Sequence, residues 1–352
     1  MKLYEIMNKL EESFPISLEE KWDNSGLLIG DKNSEITKVQ ISLDITDSVI
    51  DKAIENGSEL IITHHPVIFE TIKKINDSTL LGKKILKLIK NGINVYSAHT
   101  NLDSAKDGLN NYIAQKLLGK DIKVMDEKYD LTYKLSILVA ENSLEEVVKI
   151  INKSQELELL EYKRNSYISN IAEKRIFNSD LVKTDLYDIQ ITGEKNKLYS
   201  ILNKLKEKSF VNESSFEIYL LENKIKTGTG LGRIYKLETS VTFEEYIKFV
   251  KEKLDLDFVK IVKATDRPVK KVAIVNGSGA EFWKKAYDMG ADVFITGDFK
   301  YHNALDAYEK GLNIIDIGHY EAEHFFNEII IKKLDDNLQV EVYNEKRILE
   351  IK

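Results

Sequence analysis

Two widely separated stretches of this chain follow one order of elements, and that order limits what the whole can fold into. In the first, Val39 to Asp44 reads as a strand, Thr46 to Asn56 as a helix stopped at Gly57, and Ser58 to Phe69 (SELIITHHPVIF) as a strand and its continuation. Leu80 to Lys90 follows as a helix stopped at Asn91 and Gly92, then Ile93 to Ala98 as a strand and Leu109 to Leu118 as a helix. In the second, Lys271 to Val275 is a strand, Ala280 to Met289 a helix stopped at Gly290, and Ala291 to Phe299 a strand. Tyr301 to Lys310 is a helix stopped at Gly311, and Leu312 to Ile317 is a strand; Thr296 falls where Thr63 does. Short apolar strands alternating with helices that end on glycine are the mark of βαβ units with a buried parallel sheet. The repeat predicts an α/β fold of two βαβ-rich halves related by a pseudo-two-fold axis.

At 352 residues the chain exceeds the usual size of one domain. Between the halves, Tyr133 to Ala140 reads as a strand and Ser143 to Asn152 as a helix, with Ser143 and Glu146 in capping-box spacing. A strand at Tyr187 to Thr192, a helix at Lys195 to Lys206 and a strand at Phe216 to Leu221 complete two β–α–β passes, which predict an inserted α+β ferredoxin-like domain. The expected organisation is residues 1–125 and 237–352 as the two halves of one domain, interrupted by 126–236. Thr227 to Arg233 (TGTGLGR) is expected to be a glycine-rich return.

The chemistry gathers at the strand ends. His64 and His65 close the run Leu60 to Thr63, and in open α/β sheets ligands collect at the carboxyl edge. Neighbouring histidines there could each face a different metal ion, or one could ligate while the other supports. His99 has Asp103 four residues on, and His319 has Glu323 four residues on, so each pair shares a face wherever the chain is helical. Four of the six histidines thus fall at predicted strand ends. With no cysteine in the chain, a metal site must be built of nitrogen and oxygen. Asp103 is the natural candidate for a bridging carboxylate.

Two loops carry open readings. Asn276, Gly277, Ser278 and Gly279 lie between a strand and a helix, where backbone amides could hold a phosphate or carboxylate or form a plain tight turn. Lys21 to Asp31, turn-rich around a short apolar strand, is a connection or a functional loop.

A formal net charge of −7 argues against a general nucleic-acid binder. No apolar run reaches membrane-spanning length. At the N-terminus Leu3, Ile6, Met7, Leu10 and Phe14 form one helix face, broken by charge too often for a secretory leader, so a cytoplasmic protein is expected.

The motifs WDNSGLLIG, THHP, SAHTNLD, NGSG, TGDFKYHNALDA and GHYEAE occur in one order along the chain. Together they resemble the family of dinuclear-metal, ring-forming hexamers named GTP cyclohydrolase 1 type 2 homologues. The resemblance implies that His64, His65, Asp103, His319 and Glu323 hold two divalent ions, and that His99 supports or transfers protons beside Asp103. It also implies a toroidal homohexamer and a middle insert similar to the PII-like and CutA-like fold. Zinc, iron, manganese, cobalt and nickel all accept such ligands, and three imidazoles with two carboxylates leave positions for water or substrate. The implied activity is hydrolytic opening of the guanine ring of GTP with loss of formate, by a hydroxide bridging the ions. The amides of Asn276 to Gly279, or the loop from Asp298 to His302, would hold the phosphates. The competing expectation is a non-enzymatic, ring-shaped metal-binding or regulatory protein whose insert senses a small ligand.

Overall fold

The computed structural model describes residues 1–153, 167–177, 180–211 and 216–345. Parts of the expected insert, at 154–166, 178–179 and 212–215, and the end of the expected second half, at 346–352, lie outside the described residues. The fold is mixed α/β and divides into two compact units, one of Met1–Glu127 with Gly228–Lys352 and the other of Lys128–Thr227. Strands β1 (Gly26–Ile29), β2 (Lys38–Ser42), β3 (Leu60–Thr63) and β4 (Asn94–Ser97) come first. Then follow β5 (Lys120–Ala140), β6 (Tyr167–Phe177), β7 (Asp180–Gly193) and β8 (Phe216–Val241). Last are β9 (Lys260–Val262), β10 (Val269–Ile274), β11 (Val293–Thr296), β12 (Asn313–Asp316) and β13 (Gln339–Val342).

The first unit contains a sheet of order β1-β4-β3-β2-β13, in which only β1 is antiparallel to its neighbour. Its register aligns Ser42, Thr63 and Ser97 at one carboxyl edge. A second run of strands in this unit has the order β8-β10-β11-β12-β9, with β10, β11 and β12 parallel and Thr296 opposite Asp316. The apolar strands explain both arrangements. In β3, Leu60 and Ile62 join a core that also holds Ile274, Ile295 and Ile315, while Ile61 faces the other way against Ile50, Ile85 and Leu88. Alternate residues of a strand point to opposite faces, so a run apolar at every position is buried on both. Each such side chain contributes about 1.5–3 kcal/mol on burial.

The connecting helices start and stop where short-range chemistry dictates. The Thr46 hydroxyl accepts from Val49 N to start Asp47–Asn56, and Gly57 ends it at φ +71°. Beyond β4 and β12 the chain turns into short helices, Thr100–Ser104 and His319–Glu323. The expected helix at Ala280 to Met289 is instead a 3₁₀ turn, Ala280–Phe282, leading into Trp283–Asp288.

The second unit has its own core. Leu135, Ile137 and Val139 of β5 and Ile189 and Ile191 of β7 pack with Val147 of the helix Leu144–Lys153 and with Leu198, Ile201, Leu202 and Leu205 of the helix Lys195–Glu207. β6 and β5 both pair antiparallel with β7. The sequence reading lacked β6, because Asn170, Glu173, Lys174 and Arg175 interrupt its apolar residues and leave no clean alternation. Nor is TGTGLGR a return turn. It lies within β8, with Gly228, Gly230 and Gly232 at φ +72°, +137° and +67°, so the glycines kink a continuous strand. Among the described residues, no helix is long and apolar enough to cross a membrane.

Candidate metal centre

Four imidazoles converge just beyond β3, β4 and β12 in the first unit, each held from behind through Nδ1. His64 donates Nδ1–H to the Ala98 carbonyl at 2.8 Å, and His65 Nδ1 lies 3.0 Å from Asp44 Oδ1. His99, at the start of Thr100–Ser104, bonds Asp23 Oδ1 at 2.7 Å, and His319 bonds Asp298 Oδ2 at 2.7 Å. A carbonyl or carboxylate oxygen can only accept, so Nδ1 carries the proton and, in the neutral ring, Nε2 presents its lone pair to the interior. Asp23 also accepts from the backbone and hydroxyl of Thr100, which ties the loop ahead of β1 to this helix. Backbone bonds fix the doublet itself, with Ser97 Oγ donating to His64 O at 2.7 Å and Thr63 Oγ1 to His65 O at 2.9 Å.

The Nε2 atoms meet the carboxylate of Glu323. Its Oε2 is 2.9 Å from His65 Nε2 and 3.1 Å from His319 Nε2, and these two nitrogens are 3.3 Å apart. Glu323 Oε1 is 3.6 Å from His64 Nε2, which is 3.8 Å from Asp103 Oδ2. The His99 ring stands 5.1 Å from that of His64 and 5.5 Å from that of His65. Two groups of donor atoms, His64 with His65 and His99, and His65 with His319 and Glu323, each fall within 4.8 Å. Glu323 therefore lies against His64, His65 and His319, and Asp103 reaches the cluster through His64.

A cation fits this donor set. Both Glu323 Oε2 and His64 Nε2 are buried without a hydrogen bond of acceptable geometry, although nitrogens or oxygens lie close by. A buried polar atom left in that state costs about 1–3 kcal/mol. Ligands about 2.0–2.2 Å from a zinc-like ion lie roughly 3–3.5 Å from one another, the spacing found here.

Without an ion, protons take its place. Burial opposes charging of His65, but the Glu323 and Asp44 carboxylates outweigh it and push the ring up to about 11. The Glu323 carboxylate, 3.1 Å from its Nε2, lifts His319 to about 9 against its own burial. Burial would raise Glu323, yet the charges of His64 and His65 hold it well below the ordinary carboxylate range. Asp103 moves up, chiefly through burial.

The other expected site residues fall into place differently. The Asn276 amide donates to Asp103 Oδ1 at 2.9 Å and Glu323 Oε1 at 3.4 Å, holding the two carboxylates rather than facing outward. Gly277 sits at φ +58° against Glu323. Ser278 is exposed, and the Gly279 amide donates to Thr296 Oγ1 at 3.1 Å. Asp298 backs His319. His302 is exposed on the helix Tyr301–Lys310, with its ring against Tyr301 at 5.6 Å.

Three groups escaped the sequence reading. Asp44 ends the strand VQISLD at the same edge, a position that could have flagged it, and Asp23 stood in a loop with an open reading. Arg233 gave no signal. Its buried guanidinium donates to the carbonyls of Gly230 and Gly232 at 2.8 Å, Ala105 at 2.5 Å and Lys106 at 3.3 Å, clamping the chain just beyond the helix that carries Asp103. Burial pushes its pKa down to about 10.

A Halalkalibacterium halodurans protein named GTP cyclohydrolase 1 type 2 homolog is 33% identical, over 96% of this chain and 94% of its own. The Bacillus subtilis protein of that name is 34% identical, over 94% and 91%. Among solved structures, a Bacillus cereus protein related to NIF3 is 30% identical, superposes with a TM-score of 0.75, and is matched over 97% of this chain and 96% of that one. A Staphylococcus aureus protein is 29% identical, with a TM-score of 0.78 over 100% and 99%. Residues 1–349 match the model of one family, and the chain belongs to it: Duf34/NIF3 (NGG1p interacting factor 3).

Proposed function

We propose that the protein is a hydrolase with a dinuclear metal centre, acting on a nucleotide or a related heterocycle. The observation that carries this reading is the meeting of Glu323 with imidazole Nε2 atoms at 2.9–3.6 Å, with Glu323 Oε2 and His64 Nε2 lacking hydrogen bonds. His65, His319 and Glu323 would hold one ion and His64 with Asp103 the other, Glu323 reaching both. When bound, divalent ions supply Lewis acidity and bring the pKa of a coordinated water toward neutral. His99, its Nδ1 proton held by Asp23, keeps Nε2 free to accept a proton from an attacking water and return it to a leaving nitrogen. Asn276 keeps the two carboxylates in place.

The matching strand orders, β1-β4-β3-β2 and β9-β12-β11-β10, support a duplicated unit whose equivalent edges build one centre. The name shared by the relatives supports a cyclohydrolase-type reaction. A PII-like insert and a homohexameric ring belong to this reading through the resemblance, and light scattering of the purified protein measures the latter.

Elemental analysis of protein purified without chelator should find about two metal ions per chain, and a nucleotide panel, GTP included, should show turnover that disappears in His64→Ala and Asp103→Asn. Full metal content with no turnover would favour the regulatory reading, which draws on the separate core of Lys128–Thr227.

A further inference from the structure

The loops leaving β2 and β3 open beside the metal centre onto a cleft of about 500 Å³, within the size range of small-molecule sites. It lies at the carboxyl edge of parallel strands, with His65 in its wall. Ile45, Val67, Phe69 and Leu81 make most of the lining apolar. The Phe69 side chain is 53% exposed and its ring centre is 5.7 Å from that of Trp22, itself 58% exposed. Trp22 in turn stands edge-on to His99 at 6.0 Å. An exposed aromatic pair therefore runs from the cleft to the imidazoles. Exposed aromatic faces beside a polar centre suit the stacking of a flat ring.

The charges exclude a different guest. Asp44 and Glu70 line the cleft against a single cation, Lys84, whose ammonium is already 2.6 Å from the Ile45 carbonyl. Asp23, Asp298, Asp103 and Glu323 add four carboxylates around the imidazoles. With Asp44 these place five carboxyl groups around the imidazoles. Of the amides expected to receive a phosphate, that of Asn276 donates to Asn110 Oδ1 at 2.9 Å and that of Gly279 to Thr296 Oγ1 at 3.1 Å. A polyphosphate is held by several cations or free amides, whereas the residues lining this cleft offer one ammonium beside two carboxylates.

We propose that the centre takes an uncharged planar heteroaromatic ring, a nucleobase or nucleoside, seated on Phe69 beside His65, and that a polyphosphate chain forms no part of what the site holds. This rests on the hydrolase reading for the chemistry but not for the binding. The test is titration calorimetry on the full-length, zinc-loaded protein with guanosine, adenosine, GTP and inorganic triphosphate. At least one nucleoside should bind about tenfold or more tightly than GTP, and Phe69→Ser should weaken it about tenfold while Phe69→Trp restores it, at unchanged zinc content. Nucleoside binding of this pattern without turnover supports the inference and removes the hydrolase reading. GTP or triphosphate binding as tightly as a nucleoside, or no nucleoside binding at all, overturns it. So does a Phe69→Ser protein whose oligomeric state changes while its nucleoside affinity does not.

Discussion

Asp23 reaches across the first unit to hold His99, its Oδ1 lying 2.7 Å from Nδ1 while Oδ2 takes the backbone amide of Thr100 at 3.1 Å. The carboxylate fixes which ring nitrogen faces the centre. In Asp23→Asn the amide can donate to Nδ1 and turn the lone pair away from the cluster. Loss of such a supporting carboxylate typically costs 10–100-fold in metal affinity or activity. Competition with a chelator should record a loss of about that size in zinc affinity, turnover, or both. Wild-type values for both would mean that Asp23 caps Thr100 and does nothing for the imidazole.

Gly277 is required by its neighbour. A Cβ built there falls 2.0 Å from Glu323 Oε1, at φ +58°. Gly277→Ala should cost about 1–3 kcal/mol in backbone strain, and it should displace the carboxylate and empty the centre. Gly57→Ala is the control, because Gly57 has φ +71° with nothing within 4 Å. That change should cost about 1–2 kcal/mol and leave metal content intact. Equal metal content in the two variants would show that Glu323 tolerates displacement.

How far the sequence could be read follows from the range of each interaction. β3 and β11 were visible because four consecutive buried residues, LIIT and VFIT, sit between glycine-capped helices, and the signal is local. His64, His65 and His319 stood out for the same reason, each following its strand within a few residues. The partners of those imidazoles are another matter. His99 and Asp23 are 76 positions apart, and Arg233 bonds a carbonyl 128 positions away. Nothing in either local stretch encodes such a pairing, and an arginine in a glycine-rich run looks like surface. The NGSG segment left two readings open because glycines that pack closely, as these do against Glu323 and Val275, are from sequence indistinguishable from those of an anion-binding turn.

Arg233 is fully enclosed and bonded only to carbonyls, those of Gly230, Gly232, Ala105 and Lys106. Arg233→Met would take this donor from all four carbonyls, of which that of Ala105 keeps the Gly108 amide at 3.2 Å. A buried acceptor left unpaired costs about 1–3 kcal/mol unless water reaches it, so urea denaturation should show a loss of more than about 2 kcal/mol. Arg233→Lys should recover little, since a compact ammonium cannot span acceptors placed for a planar fork. Because Ala105 follows Asp103 by two residues, metal retention should fall as well. A lysine variant as stable as the wild type would remove the argument from fork geometry.

The metal-free protein should lose stability toward alkaline pH. His65 and His319 are raised to about 11 and about 9 in the folded chain, against an ordinary value near 6.5. A raised pKa means that folding favours the protonated ring. The stabilisation is therefore complete below about pH 6.5 and is lost as pH climbs through 9 and toward 11. Metal binding runs the other way, because each ion displaces those protons and its apparent affinity rises with pH. Thermal unfolding across pH 6 to 10 should give a falling Tm for the chelator-treated protein and a widening gap to the zinc-loaded form. A gap that stays constant over that range would mean that the imidazoles give up no protons to the ion, and that the ion binds elsewhere.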